Sequence, residues 1–152
     1  MAFMAKPGLS RMADYAVACY CVFGSVWIFL EQTAKLFRIE ASSAEMGDSP
    51  MGQFGWGFVW SDTLMLGPFL LIGGLLLLSR RTRTLGHLLA FSGLATNLYA
   101  SVFILVGYWA GGKPLGSGQT FILLFTASLG AVCMVYSSSV LLHRNRTAVN
   151  HP

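Results

Sequence analysis

Charge is what this chain has least of. Charged residues make up 11% of its 152 positions, less than half of the ~25% usual in soluble domains. Apolar residues make up 55%. A soluble core of this size cannot hide that much apolar surface, so the excess is expected to face lipid. Acids number six, and three of them (Glu40, Glu45 and Asp48) fall in one stretch. Cysteines number three, Cys19, Cys21 and Cys133, all inside apolar runs. Cys19 and Cys21 are two positions apart and point in directions about 200° apart on a helix, which excludes a local disulfide or a joint metal site. No disulfide framework is legible.

Catalytic and metal signatures are equally scarce. There is no nucleophile elbow, phosphate loop or HExxH pair. His87 has no histidine at i+4, and His143 and His151 lie near the end of the chain. The sequence therefore predicts neither a metal nor another cofactor. The serine run Ser137-Ser138-Ser139 reads as backbone-bonding or packing, not as a nucleophile. The net charge of +4 does not point to nucleic acid, because the basic residues cluster beside apolar spans.

What is present is four long apolar runs. The most informative is Gly57 to Ser79, long enough at 1.5 Å per residue to cross a ~30 Å hydrocarbon core. Its second half has no polar side chain, and it ends at Arg80-Arg81-Thr82-Arg83. The others run from about Tyr15 to Leu36, Leu85 to Ala110 and Thr120 to Leu142. The first resembles the apolar part of a signal peptide, but it meets Glu31, Lys35 and Arg38 before any cleavage site, so an uncleaved helix is expected. Ala41-Ser42-Ser43 lies well beyond its apolar core. Pro7-Gly8 is expected to exclude helix from the head. Ile39 to Trp56 and Gly111 to Gln119 read as loops rich in breakers, and residues 143–152 as a polar, disordered tail.

The expected fold is a single-domain, all-α, up-down-up-down bundle of four transmembrane helices. Lys6, Arg11, Arg80, Arg81, Arg83, Arg144 and Arg146 lie on one side, against Lys113, Lys35 and Arg38 on the other. The positive-inside rule places both termini in the cytoplasm, in a cell membrane, or the inner membrane of a bacterium. Trp56, Trp60, Tyr108 and Trp109 mark the outer interface, with Trp27 in the outer half of the first helix.

Helices in lipid associate through small and polar residues. Gly86, Ala90, Gly93, Asn97 and Ala100-Ser101 form such a stripe, with Asn97 expected to bond across the seam. Ala127, Ala131, Met134 and Ser138 form a weaker one. In the first helix Ala16, Tyr20, Gly24, Trp27 and Glu31 share a face.

Two acids, Asp62 and Glu31, lie at matched depth in the outer halves of adjacent helices, Asp62 about 7–8 Å below its helix start. Intramembrane carboxylates are costly and are site candidates by default. They suit proton coupling, acid–base work or a cationic ligand. Glu31 also precedes Lys35 by four residues, a favoured helical ion-pair spacing. Pro68 removes the amide that would bond the Leu64 carbonyl and predicts a kink, made easier by Gly67. The expected ligand-binding set is Asp62, Glu31, Asn97, Trp60 and Trp27, with Asp62 and Glu31 also the catalytic candidates.

These features support two readings. One is an accessory or interaction subunit, or a binder of a lipophilic small molecule, partnered by the bilayer and by a second copy or a larger membrane protein. The alternative is a small membrane enzyme or proton-coupled carrier that uses Glu31 and Asp62.

Overall fold

The computed structural model describes residues 7–36, 59–110 and 115–149. The loop expected at 39–56, Trp56, Lys113 and His151, as well as the side chains of Lys35 and Arg38, lie outside the described residues. The described chain is all helix: α1 (Pro7–Leu36), α2 (Val59–Leu77), α3 (Arg83–Ala110) and α4 (Ser117–Val149). Among the described residues, four helices are long and apolar enough to cross a membrane.

Two ends differ from the sequence reading. Pro7-Gly8 does not exclude helix; α1 begins at Pro7. The first helical position is where proline fits best, since its missing N–H has no intrahelical acceptor and its φ is already helical. Residues 143–149 are not a separate tail, because α4 runs on to Val149. No glycine or proline interrupts the chain after Gly130 until Pro152, so nothing in the backbone ends the helix early.

Each helix packs closely on its neighbour in the chain, antiparallel to it, α1 on α2, α2 on α3 and α3 on α4. The core is small: Val17, Ala18, Cys21, Leu66, Leu70, Leu77, Ala90, Leu94 and Cys133. Close approach depends on Gly73 and Gly74, adjacent residues pointing about 100° apart on α2. A Cβ on Gly73 would lie 2.7 Å from the Ala90 nitrogen on α3, and one on Gly74 would lie 3.0 Å from the Ala18 carbonyl oxygen on α1. Gly86 repeats the device, with a Cβ there 2.8 Å from the Leu77 nitrogen. The two glycines thus let α2 sit between α1 and α3.

The stripe on α3 is buried as expected at Gly86, Ala90, Gly93, Ala100 and Ser101, joined by His87 and Leu94. Asn97 departs from expectation. It is half-buried and, among the described residues, makes no side-chain hydrogen bond; the seam is held by backbone proximity. On α1 the buried line is Asp14, Val17, Ala18, Cys21, Ser25 and Gln32, not the line through Ala16 and Trp27, both exposed. On α4 it is Gly130, Cys133 and Ser137, one position ahead of the expected stripe. α1 and α4 are joined by long side chains: the Tyr20 hydroxyl donates to the Thr126 carbonyl at 2.8 Å and packs under Gly130.

Around Pro68 the lost hydrogen bond is absorbed by a π-helical turn, Asp62–Leu66, which closes with the Gly67 N–H donating to the Asp62 carbonyl. The α-helix resumes at Gly67. The Gly67 carbonyl also accepts a hydrogen bond from the fully buried Ser25 hydroxyl of α1 at 2.8 Å.

Candidate functional site

The densest polar constellation sits at the Arg80–Arg83 end of the bundle and centres on Asp14. Asp14 lies two turns into α1 and is 3% exposed. Arg83, the first residue of α3, grips it from both sides: Nε lies 2.7 Å from Oδ2 and Nη2 donates to Oδ1 at 3.0 Å. One turn further along α3, His87 places Nε2 3.1 Å from the same Oδ1. The Tyr136 hydroxyl, from α4, lies 2.9 Å from Oδ1 and 3.0 Å from the Ser10 carbonyl. Three helices therefore converge on one carboxylate.

The chemistry of the partners assigns the protons. A carboxylate only accepts, so His87 carries its proton on Nε2 and donates it to Asp14. Nδ1 of the neutral ring is then an acceptor, and the Ser137 hydroxyl, 3.1 Å away, donates to it. The Tyr136 ring meets the His87 ring edge-on, with centroids 5.6 Å apart. With His87 neutral, Asp14 and Arg83 cancel and the cluster has no net charge, the condition for keeping ions in a low-dielectric interior.

The order Ser137–His87–Asp14 is that of a nucleophile, a base and the acid that orients it. Its setting is not. His87 and Ser137 are both 0% exposed, and the carboxylate is already paired to Arg83. The arrangement is a closed clasp in which the carboxylate, the imidazole and both hydroxyls are hydrogen-bonded, while Arg83 Nε holds Oδ2 by charge alone. Ser138 and Ser139 behave as expected of helix serines, both donating to the Val135 carbonyl at 2.8 Å.

Sequence reasoning missed this cluster. Asp14 fell on the boundary between head and first span, and His87 looked solitary because its partners lie on other helices. The available signal was the acid itself, the one carboxylate of that apolar run other than Glu31.

The residues expected to form a site lie at the other end. The Asp62 Oδ2 accepts a hydrogen bond from Gln32 Nε2 at 3.0 Å. Gln32 is the buried polar residue there; Glu31, its neighbour in sequence, is half-buried and points about 100° away around α1. Trp27 and Trp60 are exposed. Among the described residues no cluster of His, Cys, Asp and Glu is suited to a metal ion. The chain matches no protein-family model, no curated protein and no solved structure.

Proposed function

We propose that this chain is a multi-pass integral membrane protein, with its termini and the Arg80–Arg83 turn in the cytoplasm, that serves as an accessory or interaction subunit. The observation that carries the reading is the closure of the Asp14 clasp. Among the described residues, the best-connected polar side chains are spent on holding α1, α3 and α4 together. α4 supports the same reading. It buries the smallest share of its apolar window, 17% against 33% for α2, and presents Phe121, Phe125, Val132 and Val135 outward. A helix that shares so little with its own bundle is suited to lateral association with a second copy or a larger membrane protein.

A second reading, a lipophilic-ligand binder, a small membrane enzyme or a proton-coupled carrier using Glu31 and Asp62, draws on the hydrogen bond between buried Gln32 and Asp62. Native mass spectrometry of protein extracted in mild detergent with its own lipids separates the two. A protein partner or a defined homo-oligomer, unchanged by Asp62→Asn, supports the subunit. A stoichiometric small molecule lost in Asp62→Asn, or a bare monomer, overturns it.

A further inference from the structure

The end of the bundle that holds the Asp14 clasp also carries charge that the clasp does not use. α2 ends at Leu77 and α3 begins at Arg83, and residues 78–82 turn the chain between them. Arg80 and Arg81 stand exposed on that turn. Arg11, on α1, arrives at the same level. A Cβ on Gly74 would lie 3.0 Å from the Ala18 carbonyl oxygen, and α1 and α2 run antiparallel. Counting from that contact, Arg81 is seven positions further along the chain (74 to 81) and Arg11 is seven positions back (18 to 11). One turn beyond Arg11, Asp14 is gripped by Arg83, which ties α1 to the foot of the turn.

Charge at this end is one-sided. The acids among the described residues are Asp14, Glu31 and Asp62. Asp62, bonded to Gln32, and Glu31 lie at the opposite end, and Asp14 is taken by Arg83 and His87. Among the described residues, no side-chain hydrogen bond or ion pair engages Arg80 or Arg81. Arg11 donates to the Tyr15 hydroxyl at 2.7 Å, and its guanidinium carbon lies 5.7 Å from the Tyr15 ring centroid. Tyr15 thus steadies the Arg11 fork, and one bond leaves most of its five N–H donors for an oxyanion. Next to these cations the surface is apolar and exposed, with Tyr15 and Phe23 on α1, and Ile72, Leu75 and Leu78 along α2 and its end. A soluble phosphate would use the charge alone. A phospholipid uses both, its phosphate on the guanidinium groups and its acyl chains on the helices.

We propose that Arg11, Arg80 and Arg81 form a docking surface for the phosphate of an anionic phospholipid, whose acyl chains lie along the apolar faces of α1 and α2. A zwitterionic headgroup brings its own cation to a surface that already has an excess of them, whereas an anionic one brings net negative charge. The proposal rests on the reading of the four helices as membrane-spanning, but not on which end is cytoplasmic.

The test is native mass spectrometry of the full chain in mild detergent, titrated with phosphatidylglycerol or phosphatidylcholine of identical acyl chains. Phosphatidylglycerol is expected to bind about tenfold more tightly or better. Arg80→Gln/Arg81→Gln weakens it by roughly twentyfold, about fivefold for each arginine. Phosphatidylcholine binding and the melting temperature stay as they were, which shows that the variant is folded. Equal binding of the two lipids by the unaltered chain overturns the proposal, and so does a phosphatidylglycerol preference that survives the double substitution. Glycerol 3-phosphate that displaces the lipid at equal concentration assigns the surface to a soluble anion and overturns it as well. A chain that stays folded and monodisperse once detergent is removed overturns the membrane reading too. A detergent-dependent chain without lipid preference overturns the lipid surface alone.

Discussion

His87 and Asp14 stand 73 positions apart in the chain, yet Nε2 of one lies 3.1 Å from Oδ1 of the other. Asp14 also carries both contacts from Arg83, so its loss strands a guanidinium and an imidazole together. Removing one partner of a buried ion pair costs about 3–5 kcal/mol. The Arg83 side chain is 33% exposed, and water there reduces the expected loss for Asp14→Asn to about 2–3 kcal/mol. Thermal melts of the purified protein measure it. The double variant Asp14→Leu/Arg83→Leu recovers part of the loss, because it leaves no charge unpaired. A double variant as unstable as the sum of the two single ones would show that the pair is not the cause.

Ser137→Ala distinguishes a clasp from a catalytic chain. It removes one neutral hydrogen bond to His87, expected to cost about 1 kcal/mol. Association in the membrane, read by the same native mass spectra, is expected to be unchanged. A turnover that vanished with Ser137→Ala, at wild-type expression, would contradict the closed-clasp interpretation.

The glycines of the seam are predicted to divide sharply. Gly73→Ala drives a methyl to within 2.7 Å of the Ala90 backbone, and helices must separate to admit it, at about 1–3 kcal/mol. A Cβ at Gly107 meets nothing within 4 Å, so Gly107→Ala is expected to stabilise α3 by about 0.5–1 kcal/mol. Melting temperatures of the two variants should move in opposite directions.

The orientation is tested with reporters. Fluorescent protein fused after Pro152 should fold and fluoresce in the bacterial cytoplasm, and alkaline phosphatase placed at Lys113 should be active outside it. The opposite pattern would invert the assignment drawn from Arg80, Arg81 and Arg83.

How much of this was legible in sequence depended on whether the signal was local. The four apolar runs and the small-residue stripe of α3 were readable because periodicity and length are properties of one segment. The faces of α1 and α4 were each misread by about one position, because several small residues lie side by side there and only the neighbouring helix decides which one is covered. Asp14, His87, Arg83 and Tyr136 form one unit across three helices, and nothing in any one segment announces it. Pro68 was recognised as a disturbance, but the chain's solution was set by Ser25 of α1 capping the Gly67 carbonyl and by the preceding turn widening.

That widened turn acts on α2 as a one-residue insertion would. Each extra residue in a helical turn rotates everything on its far side by about 100° about the axis. The azimuth of Asp62 is therefore decoupled from that of Gly73 and Gly74, one half of α2 aimed by contact with two neighbouring backbones and the other by the bond to Gln32. Deleting a single residue between Asp62 and Leu66 should leave the glycine seam in place while swinging Asp62 away from α1. Position along α2 and direction around it are thus separate variables in this protein, and the Asp62 carboxylate can be re-aimed without disturbing the bundle that carries it.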